Sequence, residues 1–216
     1  MMASNLGSNG MIRSLGWGAA GFLSAAIALF SYRYLVGMGP LAPGIVANPY
    51  ARPFLYLHVA GAATALLVMP LQILPRLRSR RPGLHRWIGR LYVAGCTAGG
   101  VGGFVVAFGS TAGWPVTMGF GLLAPIWVGS TIMGWRSARA RRFAEHRAWM
   151  IRSAALTFAA VTLRLYLPML QLTGVNFLLA YRLTAFISWI PNLIVAELYL
   201  RGYVPIRRRL PVAVVA

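Results

Sequence analysis

Apolar residues in this chain run in six long stretches, near 15–35, 54–75, 87–109, 115–135, 149–171 and 177–200, with the polar residues gathered in the gaps. A helix needs about 20 apolar residues to cross the hydrocarbon core of a bilayer, and each stretch meets that length. Isolated runs of this kind also occur in the core helices of soluble proteins, but six in one short chain do not. The pattern predicts an all-α integral membrane bundle of six transmembrane helices. It divides the chain into a tail over 1–13, a single membrane domain over 14–200 and a basic tail over 201–216. Residues 15–35 have the length of a signal peptide, with Arg13 as the only charge before them. Cleavage would leave an odd number of spans, so the stretch reads as an uncleaved first helix.

Composition agrees. The 216 residues are 58% hydrophobic and 11% charged, with mean hydropathy +0.67, against about 25% charged in soluble domains. All the basic residues other than histidine are arginine, and the only acids are Glu145 and Glu197. The net charge of +19 would suit nucleic acid, yet no recognition fold or aromatic interleaving accompanies it. The arginines sort by loop instead. Arg76, Arg78, Arg80, Arg81, Arg86 and Arg90 crowd one connection, and Arg136, Arg139, Arg141, Arg142, Arg147 and Arg152 crowd another. Arg201, Arg207, Arg208 and Arg209 follow the last span, while the turns at 110–114 and 172–176 carry none. This is the positive-inside pattern. It predicts a bacterial inner-membrane protein with both termini cytoplasmic and its basic loops against anionic lipid headgroups. One cysteine, Cys96, excludes an internal disulfide framework and a Cys-based zinc cluster.

Two of the arginine-rich loops enter a helix through a His-Arg box, at His85 and at His146. The offset predicts an internal repeat, with units of about 54–110 and 115–171 and the first and last spans outside it. Helix positions advance about 100° per residue, which aligns His146, Ser153, Thr157, Arg164 and Gln171 on one stripe of span five. His85, Tyr92, Cys96, Gly103 and Ser110 align on span three, at equivalent positions. An arginine in lipid costs at least about 2.5–3.5 kcal/mol on insertion scales, so the span-five stripe should face the bundle interior or water. Gly95, Gly99 and Gly103 suit close approach of a helix, or of a flat ligand, to the span-three backbone. His58, Arg164, Gln171 and Arg182 fall at similar depth near the outer side. Arginines there with no acidic partner suit an anion, a lipid phosphate or a cofactor carboxylate, or else snorkel to headgroups. Proline is expected to kink the helices at Pro70, Pro125, Pro168 and Pro191.

Both His85 and His146 open a helix, where the positive end of the dipole and the surrounding arginines disfavour imidazolium. Neutral imidazole is the form that binds metal or haem. If the two halves pack around an axis along the membrane normal, the pair has the disposition of a bis-histidine haem b site, with arginines available to the propionates. Against this, the histidines sit at helix mouths, three histidines are too few for two haems, and no C-x-x-C-H is present. The alternative is an interfacial anchor, with Trp87 and Trp149 in the headgroup belt. Hydrolase and transferase signatures are missing: there is no G-x-S-x-G, H-E-x-x-H or P-loop, and two separated glutamates do not make an acid–base pair. Glu145 fits a first-turn residue and Glu197 a partner for an arginine.

The motifs Leu57-His58-Val59-Ala60-Gly61, His85-Arg86-Trp87-Ile88-Gly89-Arg90-Leu91-Tyr92 and His146-Arg147-Ala148-Trp149-Met150-Ile151-Arg152-Ser153 resemble those of a bacterial family of predicted membrane proteins with an uncharacterised domain. The resemblance spans about 54–200. It implies the membrane fold and no particular activity, and its layout is loosely similar to haem-bearing membrane cytochromes. Three classes of function follow. The first is a redox membrane protein using haem or quinone, with His58, His85, His146 and Arg164 as cofactor-binding residues. The second is a small-solute or proton pathway along Tyr92, Ser153, Thr157 and Gln171. The third is a membrane assembly partner without a ligand of its own.

Overall fold

The computed structural model describes residues 4–38 and 47–202, with side chains from residue 15 onward. Gly39-Pro40, Pro43-Gly44 and the tail arginines Arg207, Arg208 and Arg209 lie outside the described residues. The described chain forms nine helices: α1 (Ser4–Tyr32), α2 (Ala51–Ile73), α3 (Pro75–Arg80), α4 (Pro82–Phe108), α5 (Trp114–Arg139), α6 (Phe143–Thr157), α7 (Ala159–Leu172), α8 (Phe177–Ile187) and α9 (Ile190–Leu200). Taken together, α6–α7 make the fifth span and α8–α9 the sixth, giving six helical segments long and apolar enough to cross a membrane. α1 starts at Ser4, inside the stretch read from sequence as a tail. No proline interrupts Ser4–Tyr32, so a helix nucleated in the apolar span propagates backward at low cost.

Spans two to five form a ring in which α2 packs on α4, α4 on α5, α5 on α6, and α6 back on α2. α1 lies outside against α2, tied by a hydrogen bond between the Tyr32 and Thr64 hydroxyls at 2.7 Å. The sixth span packs on α5, α6 and α7. Small residues fill the contacts, and large apolar side chains point away: Gly99, Ala65 and Ser153 are buried, whereas Phe22, Trp114 and Leu172 are exposed. That inversion is what a lipid surround demands, since helices gain nothing by hiding leucine from hydrocarbon and associate by close backbone approach and hydrogen bonds.

The span-three glycines serve helix packing. A Cβ on Gly99 would lie 2.6 Å from the Ala62 nitrogen, and one on Gly95 would lie 2.8 Å from the Gly61 oxygen. These glycines press on the backbone of α2 and leave no slot for a flat ligand between the two helices.

One of the two breaks falls at an expected proline, Pro191, and the other has no proline beside it. α2, α5 and α7 run through Pro70, Pro125 and Pro168. Span five breaks instead at Phe158, where the Val161 N–H reaches back only three residues to the Phe158 carbonyl. Span six breaks at Ser188–Trp189, and Pro191 opens the next helix, a position where its missing N–H costs nothing. The two breaks face each other. Asn192 Nδ2 donates to the carbonyls of Ala155 (3.3 Å) and Ser188 (3.0 Å) and to the Thr162 hydroxyl (3.2 Å). Thr162 also donates to the Ser188 carbonyl. Side chains thus satisfy carbonyls that the interrupted ladders expose, as a membrane interior requires.

Candidate functional site

Both His-Arg boxes are placed by the same local construction. α4 begins at Pro82 after Arg81, and α6 begins at Phe143 after Arg142. His85 and His146 are each the fourth residue of their helix, with backbone N–H groups donating to Arg81 (3.0 Å) and Arg142 (2.9 Å). Arg141, at φ 58, takes the left-handed conformation. This lets α5 end in a Schellman turn, with the Arg142 N–H donating to the Ser137 carbonyl at 2.9 Å. The helix carrying His146 therefore starts two residues after α5 has been capped.

The two imidazoles lie within electrostatic reach of one another, and Arg78 is within reach of His85. His146 Nδ1 is 2.8 Å from the Gly134 carbonyl oxygen. A carbonyl only accepts, so Nδ1 carries a proton and Nε2 is the nitrogen left for any further partner. Nδ1 of His85 is buried and has no hydrogen-bond partner. The Gln72 side chain closes the gap behind it by donating to the His85 carbonyl at 3.2 Å.

One helical turn and more beyond the histidines, three spans meet in a buried polar cluster. The Tyr92 hydroxyl lies 2.8 Å from that of Ser153 and 2.7 Å from that of Thr157. Thr131 bonds Ser153 at 2.6 Å, and Trp127 Nε1 donates to Thr157 at 2.8 Å. Thr131 and Thr157 also donate back to the carbonyls of Trp127 and Ser153. Four hydroxyl protons therefore serve five contacts, which leaves no hydroxyl hydrogen to spare for a passing solute. Tyr92 is 1% exposed and Ser153 0%. Tyr92 and Ser153, 61 residues apart, were read from sequence as positional equivalents; folding puts them in direct contact. Cys96 is buried beside them.

Farther along span five the single stripe does not persist. At Phe158 the hydrogen-bond ladder is interrupted while the residue keeps right-handed helical dihedrals. Arg164 turns toward α1, where its guanidinium donates to the Ser31 hydroxyl (2.9 Å) and to its own Ala160 carbonyl (3.0 Å). Gln171 is exposed and joins no interior stripe. His58 sits against the same half of the bundle: its Nδ1 bonds the Gly99 carbonyl at 2.7 Å, Gly103 leaves room for its ring, and Arg164 is within electrostatic reach. Gly99 lies 14 residues beyond His85 on α4, about 21 Å at the helical rise. The four candidate cofactor-binding residues thus fall into two pairs, His85 with His146 and His58 with Arg164, at opposite ends of the ring. Arg182 goes elsewhere, donating to the Ala112 carbonyl at 2.8 Å in the turn between α4 and α5.

Other arginines near the first pair are structural. Arg152 pairs with Glu197 through two bonds, one of 3.1 Å, and Arg147 donates to the Tyr199 hydroxyl at 2.7 Å. Both tie α6 to α9. Glu145 stands in the first turn of α6, paired with Arg142 at 3.5 Å. Trp127, Thr131 and Thr162 went unnoticed in the sequence, although the four-residue spacing of Trp127 and Thr131 marks one face of span four. Ser31 carried no sequence signal, because only packing brings α1 to α7.

Residues 55–200 match the family model described as "Predicted membrane protein (DUF2306)". The chain belongs to this family. No curated protein and no solved structure matches. The family match and the six apolar helical segments together describe a predicted multi-pass membrane protein.

Proposed function

We propose that the chain is a redox protein of the bacterial inner membrane in which His85 and His146 ligate a haem b at the cytoplasmic edge. The observation that carries this reading is the matched placement of the two imidazoles, each on the fourth residue of a helix that follows an arginine. One has a buried Nδ1 bonded to nothing. The other is held through Nδ1 by a backbone carbonyl, the usual support for a histidine that ligates through its second nitrogen. Two imidazoles at the same edge, among the arginines of two basic loops, suit a metal with an anionic periphery. Bound haem would supply one-electron chemistry, with quinone as a natural membrane-soluble partner. The protein's share is to fix both rings, to offer Arg78 to a propionate, and to back the site with the dry Tyr92–Ser153–Thr157 cluster. That cluster has no open side, which weighs against a solute pathway along Ser153 and Thr157.

The test is the visible spectrum of protein purified in mild detergent from haem-replete cells. A Soret band that shifts on reduction is expected, lost in His85→Ala and in His146→Ala and kept in His58→Ala. A colourless, folded wild-type protein overturns the reading. A band insensitive to both substitutions overturns the choice of ligands. Colourless protein that co-purifies with a defined partner points to assembly, and proton or solute flux in liposomes points to a pathway.

A further inference from the structure

The second pair poses a charge problem that the chain does not solve for itself. It has two acids, and each is taken: Glu145 by Arg142 and Glu197 by Arg152. Arg164 is therefore a cation inside a membrane helix with no carboxylate of its own chain to meet. It stands eight residues before the end of α7, about 12 Å of helix. Two of its N–H groups are engaged, by Ser31 and by Ala160, out of the five a guanidinium offers. Ser31 gives its own proton to the Ile27 carbonyl at 2.7 Å, so it faces Arg164 as an acceptor and holds the guanidinium in place.

Two residues on, Arg33 adds a second guanidinium, held over the rings of Phe30 (4.4 Å) and Tyr34 (4.6 Å). Its terminal nitrogen donates to the Tyr34 hydroxyl at 3.2 Å. Arg33 and Arg164 lie within electrostatic reach of each other. Two guanidiniums and a hydroxyl-bearing helix end thus converge where α1 meets α7, and α1 turns Leu29 and Phe30 outward there. Like charges brought together at low dielectric repel unless an anion lies between them. Planar forks of N–H donors are the group that matches phosphate oxygens.

We propose that Arg164 and Arg33, braced by Ser31 and Tyr34, form a binding site for a phosphate group at the membrane edge opposite the His85–His146 pair. The site opens on the lipid-facing side of α1, and the phosphate comes either from a lipid headgroup or from a soluble phosphate. The inference does not depend on haem.

The test uses delipidated, detergent-purified full-length protein, titrated with phosphatidylglycerol and separately with inorganic phosphate. Binding is followed by native mass spectrometry and by thermal shift. One saturable site is expected in the wild type. Arg33→Gln is expected to weaken it about tenfold, the effect of losing one charge-assisted contact, with Arg164→Gln weaker still. Arg86→Gln, at the far edge, serves as control and should bind as wild type. Saturation by the lipid that inorganic phosphate does not displace identifies a headgroup site; displacement identifies a soluble phosphate. No saturable binding of either probe by folded wild-type protein overturns the proposal, as does equal binding by Arg33→Gln and wild type. Because Arg33 lies at a helix end, its variant keeps the test meaningful if Arg164→Gln does not fold.

Discussion

The interface of spans two and three and the interface of spans five and six solve one problem in opposite ways. α2 and α4 are both long helices, joined by glycines that let one backbone rest on the other. Spans five and six are each broken, and the breaks are stitched by Asn192 and Thr162. The first interface gains dispersion contact along its length and adds two polar side chains, His58 on the Gly99 carbonyl and Gln72 on the His85 carbonyl. The second gains hydrogen bonds, at main-chain groups that the breaks set free and through the side-chain pairs Arg152–Glu197 and Arg147–Tyr199. Lipid offers a helix pair little hydrophobic reward, so close contact and hydrogen bonding are the two means available. His58 is held at the glycine-lined interface by the Gly99 carbonyl, and Arg164 reaches from α7 to Ser31 on α1.

The comparison breaks most readily at its tightest point. Gly99→Leu puts a side chain where even a Cβ meets the Ala62 nitrogen at 2.6 Å. We expect a loss of about 3 kcal/mol or more, seen as failure to recover folded protein or as a large drop in unfolding midpoint in mild detergent. Asn192→Leu removes the donor that serves Ala155, Ser188 and Thr162. A smaller loss of about 1–2 kcal/mol is expected, together with faster hydrogen exchange near Phe158. If Asn192→Leu proves as damaging as Gly99→Leu, the two interfaces do not differ as described. The smallest effect belongs to Gln171→Leu. This exposed residue makes no described hydrogen bond, and its replacement should change stability by less than about 0.5 kcal/mol. A loss of several times that size would return Gln171 to the interior.

Much of this was legible beforehand. The length of the apolar runs sets six spans, and the small residues at Gly95 and Gly99 already favoured close helix contact. His85 and His146 were matched by offset alone, and the structure gives them the same place in their helices, after Arg81 and Arg142. Tyr92, Ser153 and Thr157 were found by helical phase, which holds while a helix is unbroken. Gln171 departs from the stripe because it stands one residue from the end of α7, where its side chain is exposed. The break in span six falls at the expected Pro191, whereas the break in span five has no proline to announce it. Both occur where a neighbouring span carries donors to satisfy the freed carbonyls.

The chain by itself determined its spans, its small-residue faces and the scarcity of acid, because these depend on composition and on distances counted along one helix. Only the tertiary structure decided that Tyr92 touches Ser153 and that Ser31 receives Arg164. Those facts rest on which helices are neighbours, and that is settled by packing between segments far apart in sequence.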